Sequence, residues 1–137
     1  MADGLELEVA TPERQLVREQ VSEVELPGKN GYMGILPGHA ALLGELGIGH
    51  LTYTTGRKRH SLAVHGGFLE VLDDHVRVLA DAAERAEDID VERARASLRK
   101  AREQVMNPPP DLDSAAALAA LDRAQARVTV AELKQAG

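Results

Sequence analysis

Glycine and alanine are segregated along this chain, and that split limits what it can fold into. Eleven of its twelve glycines lie at or before Gly67, whereas fifteen alanines lie from Ala82 onward and six before it. Glycine punctuates turns and alanine is the strongest helix former. The chain therefore divides near residue 81 into a β region and an α region, and two parts are expected, residues 1–86 and 87–137. Charge divides with them. Residues 1–87 hold fourteen acids and eight bases, while residues 88–137 hold eight of each. The whole net charge of −6 sits on the first part.

In the first part apolar and polar residues alternate, the mark of strands with one buried face. Leu5, Leu7 and Val9 alternate with Glu6, Glu8 and Ala10, and Val17, Val21, Val24 and Leu26 continue the pattern imperfectly. Leu62 and Val64, then Val76 and Val78, repeat it. Turn formers separate the runs at Thr11-Pro12, Pro27-Gly28, Pro37-Gly38, Thr55-Gly56 and Asp73-Asp74. Short strands at this spacing indicate an antiparallel β-sandwich. Tyr32, Tyr53 and Phe68 are the only aromatic residues, so its core is aliphatic. Gly66-Gly67 inside a strand-rich stretch indicates a bulge or a close backbone approach.

The second part has helical periodicity. Val91, Ala94, Leu98, Ala101 and Val105 form one stripe, and Ala117, Leu121, Ala124, Val128 and Ala131 form another. Asn107 and Pro108-Pro109-Pro110 separate them, because proline lacks an amide donor and clashes with the preceding turn. Two helices are expected, roughly 90–106 and 112–135, joined as an antiparallel hairpin, with Asp90 and Asp111 as candidate N-caps. The seams are mostly alanine and valine. Burying a leucine contributes about 1.5–3 kcal/mol and alanine far less, so this hairpin must dock on the sandwich or on a partner to persist. The β-branched run Val128-Thr129-Val130 is expected to weaken the last turns.

Several function classes are excluded. Without cysteine there is no disulfide framework or thiolate metal site, a usage that suits a reducing compartment. No apolar run approaches the roughly 18 residues of a membrane span. The start, Met1-Ala2-Asp3-Gly4, lacks a basic region followed by an apolar one, so no secretory signal is expected. An acidic chain with so few aromatics is a poor fit to nucleic acid. No nucleophile elbow, phosphate loop, paired-histidine zinc motif or reactive cysteine is present, which counts against an enzyme. His39, His50, His60, His65 and His75 do not fall at metal-ligand spacing, and no metal is expected.

Four segments carry a resemblance. Gly34-Ile35-Leu36-Pro37-Gly38-His39-Ala40, Gly66-Gly67-Phe68-Leu69-Glu70-Val71, Val78-Leu79-Ala80-Asp81 with Ala83-Glu84-Arg85-Ala86, and Ile89-Asp90-Val91-Glu92-Arg93-Ala94 occur in order. Together they resemble the epsilon subunits of bacterial F-type ATP synthases over essentially the whole chain. The resemblance implies a non-catalytic rotor subunit. Its sandwich would bind the gamma subunit and the c-ring, and its hairpin would fold against the sandwich or extend into the alpha/beta head to block ATP hydrolysis. It implies residence at the cytoplasmic face of the cell membrane without spanning it. It also implies that Tyr32 and Met33 contact the c-ring and that Pro37, Gly38 and His39 lie at the gamma interface.

The last segment matches the Ile/Leu-Asp-x-x-Arg-Ala pattern of the family's ATP-binding members. By that likeness Glu84, Ile89, Asp90, Arg93, Ala94, Lys100, Arg123 and Arg127 would form a site for ATP, a regulatory ligand and not a required cofactor. Lys100 stands where the family has an arginine; lysine keeps the charge but not the forked geometry. Arg123 and Arg127 lie at i and i+4, where like charges repel unless an anion sits between them. From the residues alone, Asp90 is equally a helix cap, Arg93 a solvated face, and Arg123 and Arg127 partners for another protein's acids. Two rivals remain at this stage, an enzyme and a free-standing β-sandwich adaptor with a helical tail.

Overall fold

The computed structural model describes residues 4–136, with side chains described as far as Lys134. Of the chain's start, only Gly4 lies within this range. Eight strands come first: β1 (Leu5–Ala10), β2 (Gln15–Val21), β3 (Glu23–Gly28), β4 (Gly31–Ile35), β5 (Leu42–Thr55), β6 (Lys58–Leu72), β7 (His75–Ala80) and β8 (Ala83–Arg85). A 3-10 turn, Ala86–Asp88, leads to α1 (Val91–Met106) and α2 (Ser114–Ala136). The alternation expected in β1 is realised, with Leu5, Leu7 and Val9 buried.

The strands hydrogen-bond in the order β2-β1-β7-β6-β5-β3-β4, with β8 beside β6. All pairings are antiparallel except β1 with β7. The sheet folds over on itself as a sandwich and does not close into a barrel. The bend in β6 falls at Gly66-Gly67: residues 62–64 pair with β8, and residues 67–72 pair with β7. Both glycines take positive φ, 77° and 129°. A Cβ on Gly67 would stand 2.1 Å from the Leu79 carbonyl oxygen, so the close approach expected here is real. At the β6–β7 turn Asp73 and Asp74 both take the left-handed conformation, φ 49° and 60°, as a two-residue hairpin requires. The Asp74 carbonyl accepts the Glu6 amide, and its carboxylate accepts the Gly38 amide at 2.7 Å, tying β1 and the Pro37 turn to this end.

Two separate hydrophobic clusters form. One fills the sandwich with Leu5, Leu7, Leu26, Ile35, Leu51, Leu62, Leu69 and their neighbours. The other gathers Ala94, Leu98 and Ala101 of α1 with Ala124, Val128 and Ala131 of α2, and reaches Ala63, Ala86 and Ile89. Both expected seams are present in their central residues, with Val91 and Leu121 partly buried beside them and Val105 and Ala117 outside the cluster. Ala126 and Val130 are buried as well, giving α2 a second apolar stripe. Helix α2 lies against β5 and β6, and α1 packs on α2. Helix α2 continues through Val128-Thr129-Val130, where burial of both valines opposes their propensity cost.

The caps divide. Asp90 accepts the Arg93 amide at 3.1 Å and starts α1. For α2 the capping carboxylate is Asp113, which accepts the Ala116 amide at 3.1 Å, and not Asp111. The turn after the prolines consumes Asp111 and Leu112, whose amide donates to the Pro109 carbonyl.

Candidate functional site

A groove of about 210 Å³ opens along the helical hairpin. Lys100 and Gln104 of α1 line it with Arg123 and Arg127 of α2, over a floor of Ala101 and Ala124. No carboxylate is among its lining residues. The small floor residues follow from the alanine seam, which leaves room above it. Three cations on one short groove repel one another, and Arg123 and Arg127 one helical turn apart cost about 0.2–0.5 kcal/mol. Among the described residues Arg93, Lys100 and Arg123 have no ion-pair partner. The groove therefore carries an excess of positive charge.

Arg127 alone is neutralised. Its Nε donates to Oε1 of Glu84 at 2.5 Å, joining α2 to β8. The same oxygen lies 3.2 Å from Nε2 of His65 on β6. The His65 side chain is 4% exposed, and those of Glu84 and Arg127 are 34%. The hydrogen bond from His65 is the largest influence holding the Glu84 carboxyl below the usual carboxylate range; burial opposes it, and Arg127 adds to it. Nδ1 of His65 is buried and has no hydrogen-bond partner among the described residues.

The structure distributes the other residues of the expected ATP site. Ile89 and Ala94 are buried in the hairpin cluster. Asp90 is occupied as a helix cap. Arg93 is exposed one turn before Ser97 on the stripe that leads through Lys100 to Gln104, outside the groove lining. Glu84 touches Arg127, and Lys100 and Arg123 share the groove with it. His65 was legible only as an unpaired strand histidine, because its partner lies on another strand and the third member on α2.

Tyr32 and Met33 differ in role. Tyr32 is 49% exposed, but its hydroxyl accepts the His50 amide and shares a hydrogen bond with His50 Nδ1, both at 3.0 Å. Met33 is half-buried and packs partly against the sandwich core. Pro37 and Gly38 are exposed, and His39 is half-buried with Nδ1 2.7 Å from the Ala40 carbonyl. Beyond them the outer surface of β5, β6 and β7 carries an apolar patch. Phe68 stands across from Leu79 and both are exposed; Leu43 is 77% exposed across from Glu70. Sequence reasoning missed this patch because apolar residues on both faces of β6 hide the alternation.

Among the described residues no cluster of His, Asp or Glu could hold a metal ion, and no helix is long and apolar enough to cross a membrane. Residues 4–86 match the model of the ATP synthase delta/epsilon chain β-sandwich domain, and residues 87–132 match that of its long α-helix domain. The chain is 61% identical to the ATP synthase epsilon chain of Solibacter usitatus over 98% of its own length and 100% of the relative's. It is 52% identical to that of Carboxydothermus hydrogenoformans, over 80% and 82%. In structure it is similar to a chain of the Euglena gracilis mitochondrial ATP synthase, solved as an assembly of OSCP, F1 and c-ring, with a TM-score of 0.79, 25% identity, and coverage of 96% and 82%. A chain from the central stalk and c-ring of the Tetrahymena thermophila enzyme shares the fold, at a TM-score of 0.58 and 16% identity, over 95% of both chains. On two successive family models and a full-length relative, this chain belongs to the epsilon-chain family of ATP synthases.

Proposed function

We propose that the hairpin groove is a regulatory ATP site on a rotor subunit. As an epsilon chain the protein is a non-catalytic part of the central stalk that couples F1 to the c-ring. The observation that carries the ATP proposal is the groove itself: Lys100, Arg123 and Arg127 converge on one open space with no carboxylate in its lining, and Glu84 meets only Arg127 of the three. Guanidinium forks match phosphate oxygens, and a polyphosphate turns mutual repulsion into attraction. Arg93, further along the same stripe of α1, extends the positive field toward the Asp90 end.

The two parts divide the work. Residues 1–86 bind gamma and the c-ring; the exposed Phe68, Leu79 and Leu43, with Pro37, Gly38 and His39 a few residues before Leu43, form the gamma-facing surface, and the Tyr32 hairpin faces the c-ring. Residues 87–137 regulate. Docked, the hairpin leaves the alpha/beta head free; extended, it restrains ATP hydrolysis. The chain resides peripherally at the cytoplasmic face of the bacterial membrane. A ligand bound only to the docked hairpin stabilises that state by RT ln(1 + [L]/Kd), so plentiful ATP keeps it docked.

Calorimetry with the purified full chain tests the site: saturable binding of ATP is expected, and no heat at millimolar ATP or Mg-ATP sinks the proposal. Hydrolysis by the assembled complex with and without residues 88–137 tests the regulatory role. A higher rate without them is expected; an unchanged rate removes it.

A further inference from the structure

We infer that His65 is the positioning residue of the groove, acting on Arg127 through Glu84. The inference rests on the ATP proposal for its ligand, but its geometry stands alone. One carboxylate oxygen, Oε1 of Glu84, receives Nε2 of His65 at 3.2 Å and Nε of Arg127 at 2.5 Å. His65 is on β6, Glu84 on β8 and Arg127 on α2, so this oxygen is where three elements meet. The hydrogen bond to a carboxylate assigns the proton of a neutral ring to Nε2, leaving Nδ1 as a bare acceptor. That agrees with its buried, unpartnered state, since an empty acceptor is less costly to bury than an unpaired N–H.

The consequence lies in which edge of Arg127 is used. Glu84 takes Nε, while Arg127 also lines the groove. The Nη groups on the far edge are left for an anion. Glu84 is thus a support for the guanidinium and not a contact to the ligand, and His65 keeps the carboxylate from swinging to solvent. Glu84 is already one-third exposed; without His65 it is free to rotate, and Arg127 loses both its orientation and its tie to the sandwich.

The experiment uses the full chain with His65→Ala, His65→Gln and Arg127→Lys. The amide of glutamine still donates to Glu84. Calorimetry gives the affinity for ATP. Spin labels at Gln20→Cys and Lys134→Cys, both exposed in a chain without cysteine, give the docking distance. His65→Ala is expected to weaken ATP binding about tenfold, the worth of one hydrogen bond to a charged group, and to broaden the distance distribution. His65→Gln is expected to restore both. Arg127→Lys keeps a cation for Glu84 but has no second edge, so it is expected to hold the distance while losing affinity. Equal losses in the alanine and glutamine variants, or none in either, overturn the inference. If the parent chain binds no ATP, the nucleotide proposal falls. The docking distances then decide this inference: broadening in His65→Ala with recovery in His65→Gln supports it, and its absence overturns it.

Discussion

The carboxylate of Asp90 caps the amide of Arg93 at 3.1 Å, three residues further on. The segment Ile89-Asp90-x-x-Arg93-Ala94 is therefore first of all a helix start. Ile89 and Ala94 are buried and Asp90 closes the first turn, leaving the Arg93 side chain free. Asp90→Ala should cost about 1 kcal/mol and lower the thermal midpoint by about 2–4 °C, with Asp90→Asn close to the parent, measured by scanning calorimetry.

Within the groove, position should separate one arginine from another. Arg123→Ala removes a lining cation and should weaken ATP binding about tenfold. Arg102, on the same hairpin, pairs with Gln125 outside the groove lining, and Arg102→Ala should leave the affinity within error. Titration calorimetry compares the two variants, which carry the same net charge, so a long-range charge effect is controlled for.

The outer patch predicts a binding defect without a folding defect. Phe68 is 59% exposed and Leu79 53%. Phe68→Glu should change stability by less than about 0.5 kcal/mol but weaken capture of the gamma subunit by about thirtyfold, as loss of a buried aromatic anchor does. Urea melts and surface-immobilised gamma give the two readouts. Tight capture by the variant places the gamma contact elsewhere.

Acid should loosen the joint at Glu84 in a defined direction. In the folded chain the His65 hydrogen bond, with further help from Arg127, keeps this carboxyl below its ordinary 4.5 against the effect of burial. Protons therefore bind the unfolded chain more readily. The stabilisation from Glu84 is fully present above about pH 4.5 and is lost as pH falls through the lower folded value. The stability difference between the parent and Glu84→Gln should be constant at neutral pH and shrink below that point, followed by thermal melts from pH 7 to pH 3.

Gly67 should tolerate no side chain. Its φ of 129° disfavours any L residue, and a Cβ would meet the Leu79 carbonyl and the Ala80 Cα at 2.1 and 2.9 Å. Gly67→Ala should cost about 3 kcal/mol or more, against a small effect of Gly34→Ala, where nothing lies within 4 Å. Denaturant midpoints compare them.

Much of the architecture was legible in the sequence because its causes are local. Alternation in Leu5–Val9 and Val76–Val78, the helix stripes and the Pro108–Pro110 stop each act over a few residues. What escaped depends on distant pairing. Asp111 and Asp113 are both plausible caps by type, and only the turn closed by Pro109 and Leu112 chooses between them. The burial of Ala126 and Val130 needs a sheet beneath α2. In the groove, Arg123 and Arg127 could be found from helical spacing and family likeness. His65 could not, because it meets Glu84 across 19 residues and Arg127 lies another 43 beyond Glu84.

Strand β6 serves two masters. His65 points toward the helices, Phe68 looks out from the opposite surface, and only Gly66 and Gly67 separate them along the backbone. Both glycines sit in conformations with no side chain to stiffen them, between rigidly paired stretches on either side. Any tilt of the outward surface relative to the hairpin bends β6 at this two-residue knuckle, and bends β5 beside it between Leu46 and Ile48. Attachment to the rest of a machine and the parking of the helices thus meet on two neighbouring strands, within about a nanometre along β6.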